Sequence, residues 1–445
     1  MNSGGMGGPA TAWWLQVHAV YQSVVDLDTR RVVGYEALAR GPRDSPLHTP
    51  DALFAAARDQ GVLVELDWAC RLAALRGALT ARLPATLELF INVEPPAVSA
   101  PPPADATAIL RAAADLSITM EITERDLTAD PAGLLRAAAG VRAHGWRIAL
   151  DDVGADPASL ALLPLLHPDV IKLDLRLVQA NTSIEVADII TAVNAHAERS
   201  GALVLAEGIE TEDQAQLAVM MGARLGQGWL FGRPAPLPPF PDTVTPPTPR
   251  TARHSPTAAA EAPAASSPAH PSPQFTPPTA ATPYGLVQDG GGTRRSTKPL
   301  LMAISRQLEH QALGIGASAV VFTTLQHARN FTTDTARRYA RLAADTAFVV
   351  VFATDLAAEP TTGVRGVALS HADPLTGEWS VIVIGPHFTG ALLARDVGDT
   401  GADSARRFDY QVTYNRPTVL AAATLLMNHI PSSPRPGPRP PHTPH

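Results

Sequence analysis

Short apolar runs in the first half of the chain end on an acidic or amide side chain. Runs of this length that are rich in Val, Ile and Leu are typical of buried strands, so each polar residue lies where a strand leaves the core. Helical patterns such as Pro131 to His144 and Ile184 to Ser200 separate the runs. This alternation predicts an α/β fold, a TIM-like (β/α)8 barrel of parallel strands whose carboxyl ends meet at one rim. The predicted rim residues are Glu36, Asn92, Glu121, Asp151, Asp152, Asp174, Glu207 and Glu210.

The predicted rim carries seven carboxylates, which would repel one another strongly unless cations held them. Oxygen ligands without Cys or His beside them favour Mg²⁺ or Mn²⁺ over zinc. Two such ions that share carboxylates are the usual arrangement for cleaving a phosphodiester. The rim therefore predicts a metal-dependent phosphate site.

Lysine is rare in this chain: 35 residues are Lys or Arg, and only Lys172 and Lys298 are lysines. Lys172 lies near the end of a predicted strand, within Ile171-Lys172-Leu173-Asp174. A compact ammonium fits beside a water or a phosphate oxygen where a planar guanidinium would not. We therefore assign Lys172 to the site, with a solvated strand-end lysine as the alternative.

The motifs that surround these residues follow one another in a distinctive order between about Trp13 and Phe240. They are Tyr21-Gln22, Glu36-Ala37-Leu38-Ala39-Arg40, Phe90-Ile91-Asn92, Glu121-Ile122-Thr123-Glu124, Asp151-Asp152-Val153-Gly154, Ile171-Lys172-Leu173-Asp174, Ala206-Glu207-Gly208-Ile209-Glu210-Thr211 and Gly226-Gln227-Gly228. In this order they resemble the EAL family, which contains the cyclic di-GMP phosphodiesterases. The resemblance implies a barrel that hydrolyses cyclic di-GMP to linear pGpG with two Mg²⁺ or Mn²⁺ ions, and that forms a homodimer.

The resemblance also implies a role for each matching residue. Glu207 would bind metal or act as general base, and Lys172 and Gln227 would stabilise the attacking water and the developing charge. Gln22 and Arg40 would hold the dinucleotide, Arg40 through a phosphate. The implied metal ligands are Glu36, Asn92, Glu121, Asp151 and Asp152.

Two further carboxylates have less direct roles. Glu210 would anchor the loop that follows Asp152. Asp174 would lie beside the metal ligands, or would only be a strand-end hydrogen-bond acceptor. We interpret Glu124 as a helix-start residue rather than a ligand.

The loop from Val153 to Ser159 departs from the family pattern. Where the family usually has a second glycine, this chain has Asp156 followed by Pro157, which fixes φ and lacks an N–H group. Family members use this loop for metal positioning and for the dimer contact. Two hypotheses therefore stay open: a phosphodiesterase, or a barrel that binds cyclic di-GMP without cleaving it and signals to a protein partner.

The second half of the chain predicts a separate domain behind a linker. Sixteen of the 50 residues from Pro234 to Pro283 are proline, which is typical of an extended, disordered tether. Helix and strand patterns then predict a smaller α/β or α+β fold. The predicted boundaries are a barrel over 13–240, a linker over 241–284, a second domain over 285–430 and a disordered tail over 431–445.

The second domain resembles the DICT family of small sensory modules. The resemblance rests on Ser305-Arg306-Gln307-Leu308-Glu309, Phe331 with Tyr339, Glu378-Trp379 and Arg406-Arg407-Phe408. It implies an input function for the second domain, which would regulate the barrel or bind a protein partner. Arg306, Glu309, Trp379 and Arg407 are interpreted either as an internal ion pair and a core aromatic or as contacts to a ligand.

Composition restricts the classes of partner. A formal net charge of −7 gives no basic surface for duplex nucleic acid. Cys70 is the only cysteine, so an internal disulfide is impossible. Residues 1–11 lack the features of a secretory signal, and no apolar segment is long enough to cross a bilayer. We therefore expect a cytoplasmic protein without membrane association.

Overall fold

The computed structural model describes the chain over residues 13–94, 97, 100–123, 130–153, 157–161, 163–173, 184–241, 280–290, 292–399 and 402–431. Eight strands close into a barrel in the order β1 to β8. The strands are β1 His18–Asp26, β2 Val32–Arg40, β3 Glu88–Val93, β4 Ser117–Thr123, β5 Arg147–Val153, β6 Val170–Leu173, β7 Leu203–Ala206 and β8 Leu225–Gln227. The predicted TIM-like barrel is confirmed.

Helices surround the barrel because each parallel strand needs a crossover to reach the next one. A short 3₁₀ helix, Pro157–Ala161, follows β5. The described α-helices of the barrel are α1 Pro50–Gln60, α2 Leu63–Ala81, α3 Ala106–Ala112, α4 Pro131–Ala143, α5 Leu163–Leu166, α6 Ile184–Ser200 and α7 Glu212–Met220.

The sequence predicts a barrel of parallel strands alone, and this prediction is wrong for one strand, β1. β1 is antiparallel to both β2 and β8, whereas the other neighbours are parallel. The reason is the connection: β1 and β2 are joined by the tight turn 27–31, in which Arg30 has a φ of 58°. A connection this short allows only an antiparallel pair.

The second unit is built on a seven-stranded mixed sheet in the order β12-β11-β10-β13-β14-β15-β9. The strands are β9 Arg294–Thr297, β10 Val320–His327, β11 Phe348–Thr354, β12 Arg365–Leu369, β13 Glu378–Ile384, β14 Thr389–Asp396 and β15 Arg407–Thr413. Apolar runs at 319–323, 348–352, 366–369 and 379–384 predict β10, β11, β12 and β13, whereas β9, β14 and β15 are not predicted from the sequence. The α/β character of the second unit is thereby confirmed.

Three helices cover the two faces of this sheet. They are α8 Lys298–Ile315, α9 Thr333–Asp345 and α10 Arg416–Met427. α8 and α9 share one apolar core with the sheet, and α10 lies in the core on the opposite face. Tyr284, at the predicted boundary between linker and domain, is buried and donates its backbone N–H to the Glu378 carboxylate over 3.1 Å.

The barrel and the second unit contact each other directly. α10 packs against α4 and α5 of the barrel, and the 3₁₀ turn Gly316–Ser318 at the end of α8 contacts the 3₁₀ helix Pro157–Ala161. Arg199 of α6 donates a 2.9 Å hydrogen bond to the carbonyl of Pro386. The second unit therefore touches the segment that follows Asp151 and Asp152.

Candidate active site

The barrel interior follows a simple rule of alternation. Side chains two residues apart on a strand point to the same side, so an apolar residue inside the barrel is followed by another interior residue two positions later. Phe90 precedes Asn92, Ala149 precedes Asp151 and Val170 precedes Lys172 in this way. The apolar residues form one buried cluster: Val24, Phe90, Ala149, Val170, Leu205 and Leu225. The cluster fills one layer of the barrel, and the predicted site residues form the next layer above it.

Lys172 is the centre of this polar layer, with only 1% of its side chain exposed. Its ammonium is surrounded by carboxylates from four other strands or strand ends. The Nζ atom lies 2.7 Å from Glu207 Oε1, 2.9 Å from Glu121 Oε1, 3.1 Å from Asp151 Oδ1 and 3.5 Å from Glu36 Oε1. A solvated strand-end lysine is therefore excluded.

Amide side chains orient Glu36 within the cluster. Gln227 Nε2 donates to Glu36 Oε2 over 2.6 Å, and Asn92 Nδ2 donates to Glu36 Oε1 over 3.0 Å. The same Gln227 amide lies 3.3 Å from Gln22 Oε1, on the neighbouring β1. These bonds leave the carbonyl oxygens of the two donor amides available for other partners, and Gln227 Oε1 has no hydrogen bond among the described residues.

Asp151 and Asp152 both reach the site because β5 is irregular there. In a regular strand, consecutive side chains point to opposite faces. Three steps on β5, from Leu150 to Val153, are matched by only two steps on β6, which is a β-bulge. Asp152 adopts a left-handed φ of 56°, and its N–H donates to Asp151 Oδ1 over 3.0 Å. The bulge thus brings carboxylate oxygens of Asp151, Asp152 and Glu207 within 4.8 Å of one another.

The buried cluster contains more carboxylates than positively charged groups, and this imbalance shifts the pKa values of its carboxylates. Burial raises the pKa of Glu121 well above its usual value, and the charge of Glu36 adds to the shift. Burial likewise raises the pKa of Glu207 to about 8. For Glu36, burial acts the same way, but Lys172 and the hydrogen bonds outweigh it and hold the pKa of Glu36 below its usual value. One ammonium therefore does not neutralise the site.

The donor set fits divalent cations. Glu121 is fully buried, and the ammonium of Lys172, 2.9 Å from one of its oxygens, is shared with three other carboxylates. Buried carboxylates in excess of the nearby positive charge are costly unless further cations or protons compensate them. Every ligand atom in the cluster is an oxygen, which suits Mg²⁺ or Mn²⁺. The residues present are therefore suitable for holding the predicted metal.

Other predicted residues lie at the edge of the cluster. Arg40 is on the same face of β2 as Glu36, and its Nη1 donates to the carbonyl of Ala39 over 2.8 Å. Gln22 is opposite Glu36 in the β1–β2 register and donates to the carbonyl of Gly232 over 3.0 Å. Both side chains are half-buried.

Two predicted site residues, Glu210 and Asp174, are not placed with the cluster by the described part of the chain. Glu210 is exposed, and its backbone N–H donates to Gln214 Oε1 at the start of α7. Its predicted partner, the loop 153–159, is described only in part, so the anchoring role stays a prediction. Asp174 and Glu124 lie outside the described residues.

One supporting pair is missed by the sequence reading. Asp67 and Arg71 on α2 form a buried 2.7 Å ion pair, and Asp67 also accepts the N–H of Glu94 over 2.9 Å. Burial raises the pKa of Asp67 to about 6. Because Glu94 follows the end of β3, this contact fixes the strand that carries Asn92. The signal in the sequence is an acid and an arginine four positions apart in an otherwise apolar helix.

None of the helices described is long and apolar enough to cross a membrane. Family comparisons match both units of the chain. Residues 15–234 match the model of the EAL domain, and residues 289–396 match the model described as "Sensory domain in DIguanylate Cyclases and Two-component system", the DICT domain.

Curated relatives match over the barrel. The chain is 31% identical over 232 residues to the probable cyclic di-GMP phosphodiesterase PdeN of Escherichia coli, which covers 51% of this chain and 45% of that protein. It is 32% identical over 228 residues to the cyclic di-GMP phosphodiesterase RocR of Pseudomonas aeruginosa, covering 50% of this chain and 58% of that protein. The chain thus spans about half the length of these relatives.

Among solved structures, the chain is similar to a manganese and cyclic di-GMP complex of Klebsiella pneumoniae BlrP1. The TM-score is 0.43 and the sequence identity 30%, over 49% of this chain and 56% of that one. The family matches agree with the barrel and the mixed sheet seen in the structure. The chain therefore contains an EAL domain over residues 15–234, a domain that it shares with relatives named cyclic di-GMP phosphodiesterases, followed by a DICT domain over residues 289–396.

Proposed function

We propose that this protein hydrolyses cyclic di-GMP to linear pGpG with two divalent cations, Mg²⁺ or Mn²⁺, held in the EAL barrel. The observation that carries the proposal is the Lys172-centred cluster, in which a single ammonium lies within 3.5 Å of four carboxylates, so that the buried site carries excess negative charge. A cluster of this composition is suited to cations and to a phosphate, since cations offset the charge of both.

The metal ligands in this proposal are the strand residues that converge on the cluster. Bound divalent cations supply Lewis acidity, which lowers the pKa of water and offsets the charge of the phosphate. Asp174 is retained as a predicted carboxylate beside the metals and Glu210 as the predicted loop anchor. The proposed ligands are Glu36, Asn92, Glu121, Asp151 and Asp152.

Glu207 is the proposed general base. It lies 2.7 Å from Lys172 Nζ, and cations bound beside Asp151 and Asp152 would add positive charge and favour its carboxylate form over the protonated form of the metal-free site. Its side chain is only half-buried, so that a water can reach it. Glu207 takes a proton from the attacking water, whose oxygen bonds to phosphorus. The bond from phosphorus to the 3′ oxygen of the ribose breaks, and the leaving oxygen takes up a proton. One phosphodiester of the ring is thereby opened.

Two pairs of side chains have the remaining roles. Lys172 and Gln227 stabilise the developing negative charge, and Arg40 and Gln22 bind the nucleotide. Lys172 and the Gln227 amide face the same volume from opposite sides of Glu36, and both supply N–H groups where negative charge develops. Arg40 offers a planar, two-pronged donor for a phosphate of the dinucleotide. Gln22, which contacts Gln227, is proposed to bind the nucleotide beside it.

The receptor hypothesis is favoured by one specific feature, the loop after Asp152. The bulge and the left-handed Asp152 are present, but Asp156 and Pro157 stand where the family has a more permissive sequence. A loop that failed to complete the metal site would leave a barrel that binds cyclic di-GMP and signals to a protein partner without turnover.

Regulation by the DICT domain is proposed to act through direct contact. The 3₁₀ turn Gly316–Ser318 lies against Pro157–Ala161, only a few residues from Asp152. A shift of the second domain would therefore displace Pro157–Ala161, which follows the two proposed ligands Asp151 and Asp152 in the chain. A homodimer through the barrel and a cytoplasmic location remain predictions from the sequence.

The proposal is tested by incubating the purified full chain with cyclic di-GMP and Mg²⁺ or Mn²⁺ and following pGpG by chromatography. Glu207→Ala should lower the rate by about 10²- to 10⁴-fold, as expected for loss of a general base. Asp213→Asn, an exposed acid on the adjacent α7, is the matched control and should keep the wild-type rate.

Binding measurements on the same variants separate the two hypotheses. The phosphodiesterase predicts product from the wild type and tight binding without product from Glu207→Ala. The receptor predicts no product from the wild type, with binding that Arg40→Ala weakens strongly. The absence of both product and binding would contradict both hypotheses.

A further inference from the structure

A cavity of about 590 Å³ opens in the DICT domain, well away from the barrel site. Its walls come from α8, α9, the last residues of β10 and the middle of β13. Volumes of this size are typical of sites for small molecules. The barrel hypothesis makes no use of this cavity.

The topology of the sheet explains why a cavity forms here. From β10 the chain proceeds to β11 and β12 on one side, and it then crosses to β13 on the other side. The carboxyl end of β10 is therefore the point where the strand order reverses. Because β13 is antiparallel to β10, its first residues lie beside this end, with Trp379 opposite Leu325. The chain leaves β10 toward β11 on the other side, and a crevice forms where the connections diverge, as at the switch points of open α/β sheets. Leu325 and Gln326, at this end of β10, line the cavity.

The charge of the lining is strongly positive, in contrast with the net charge of −7 of the whole chain. Among the described residues, five cationic side chains line the cavity and two acidic ones do, namely Glu309 and Asp403, while Asp334 and Asp396 pair with lining arginines without lining the cavity themselves. An anion would therefore be favoured. The cations are Lys298, Arg306, Arg329, Arg338 and Arg406.

Not all of these cations are already neutralised. Lys298 pairs with Asp403, Arg406 pairs with Asp403 and Asp396, and Arg338 pairs with Glu309 over 3.0 Å and with Asp334 over 2.8 Å. Arg306 is 54% exposed, and its Nη2 lies 3.9 Å from Asp334 Oδ2, at the outer limit of an ion pair. Arg329 is exposed and forms no ion pair within the part of the chain that the structure covers. Its guanidinium is therefore free to bind a carboxylate, sulfonate or phosphate in a bidentate way.

Aromatic side chains form the opposite wall. Trp379 on β13 and Phe408 on β15 pack edge to face, with ring centroids 5.6 Å apart. Tyr339 on α9 is buried, and its hydroxyl contacts Thr323 Oγ1 over 2.8 Å. The half-buried Trp379 presents apolar surface to the cavity, which suits a flat ring.

Two polar residues of the lining, Ser305 and Gln326, support a ligand site. Ser305 is only 5% exposed, and its Oγ has no hydrogen bond among the residues described. A buried hydroxyl in this state is costly, and an acceptor or donor in the cavity would satisfy it. Gln326 adopts a left-handed φ of 64° at the break in the β10–β11 register. Such strain in a residue other than glycine is concentrated at functional sites.

From these observations we propose that the DICT cavity binds a small anionic molecule with an aromatic body, of the class of aromatic carboxylates, sulfonates or phosphates. The anionic group binds at Arg329 and Arg306, the ring packs on Trp379, and a polar group of the ligand pairs with Ser305 Oγ. The cavity is thus the input site of the sensory domain.

The position of α8 links this site to the barrel. Its first half lines the cavity, and its last residue, Ile315, leads into the 3₁₀ turn that contacts Pro157–Ala161. A ligand that moves α8 would therefore act on the segment behind Asp152. This link rests on the proposed function of the barrel, whereas binding at the cavity does not.

The probe for the cavity is 8-anilino-1-naphthalenesulfonate, an aromatic anion whose fluorescence rises when it leaves water. We expect saturable binding to the full chain with quenching of Trp379. N-phenyl-1-naphthylamine has the same rings without the sulfonate, so it should bind at least about fivefold more weakly, since one charge-assisted hydrogen bond contributes this much or more.

Two arginine variants locate the binding. Arg329→Gln should weaken binding of the sulfonate about tenfold and leave binding of the neutral probe unchanged. Arg341→Gln is the matched control, because Arg341 is also exposed (75%) but lies outside the cavity. A sulfonate affinity that is equal in Arg329→Gln and in the wild type, or the absence of saturable binding, would overturn the proposal. The readout is fluorescence, so a barrel without hydrolytic activity would not affect it.

Discussion

Lys172 holds the metal-free site together, and its removal gives the sharpest test of the cluster. In Lys172→Met the side chain keeps its approximate size and loses its charge. The ammonium that lies within 3.5 Å of four carboxylates would then be missing. Removing one partner of a buried ion pair costs about 3–5 kcal/mol.

The cost should fall at the lower end of that range. Burial raises the pKa values of Glu121 and Glu207, so these two groups can take up protons instead of remaining charged. A loss of about 3 kcal/mol corresponds to a decrease in the melting temperature of roughly 6–12 °C for a domain of this size. Thermal unfolding of the full chain in EDTA would measure it on the transition of the barrel.

Added Mg²⁺ or Mn²⁺ should restore part of the stability of Lys172→Met, because cations replace the missing charge and bind only the native state. Lys298→Met is the matched control. Lys298 is the only other lysine, lies in the DICT domain and pairs with Asp403 near the surface, so its replacement should cost at most about 1 kcal/mol. A melting temperature of Lys172→Met in EDTA equal to that of the wild type would refute the reasoning.

The stability of the metal-free barrel should fall as pH rises from about 4.5 to 8. Across this window the native state holds a proton on Glu207, whose folded pKa is about 8, while the unfolded state has released it, and stability decreases with pH wherever the native state binds more protons. Glu207→Gln should flatten the slope of melting temperature against pH in EDTA, and an unchanged slope would contradict the pKa assignment. Asp152→Asn should keep the fold, since Asn tolerates a left-handed φ, and should weaken Mn²⁺ binding about 10-fold or more in calorimetry. Asp152→Val should in addition lose about 1–2 kcal/mol in urea unfolding, because a β-branched residue is strained at this φ; equal stability of the two variants would argue against the strained bulge.

Much of the barrel site could be predicted because strand periodicity is local information. Once Phe90, Ala149 and Val170 are recognised as interior residues, the residues two positions later must face the same volume. Glu36 differs because it lies in the middle of β2, so its predicted place at the rim does not follow from the end of a strand. The interior position of Lys172 was indicated mainly by the scarcity of lysine.

Other features depend on contacts between distant segments, which periodicity does not encode. In a regular strand Asp152 would point to the side opposite Asp151, away from the site. The β-bulge against β6 turns it inward. The direction of β1 follows from a five-residue turn rather than from its apolar pattern. The cavity of the DICT domain is lined by Ser305, Gln326 and Trp379 from three separate elements, so it cannot be predicted from a single sequence motif.

The direct contact between the domains could not be derived from the sequence either. A tract with 16 prolines in 50 residues predicts a loose tether and gives no indication of where the second domain packs. In the structure, α10 contacts α4 and α5, and the end of α8 reaches the segment behind Asp152. Regulation through this contact therefore needs no rigid linker.

The central claim is that the Lys172-centred cluster binds divalent cations and cleaves cyclic di-GMP. The most direct test is a time course of pGpG formation by the wild type and by Glu121→Gln, with Mn²⁺ and with EDTA. The account predicts product from the wild type only with the metal, and a rate at least about 10²-fold lower in Glu121→Gln, which removes the charge of a buried ligand. Product formation in EDTA, or a Glu121→Gln variant as active as the wild type, would contradict it.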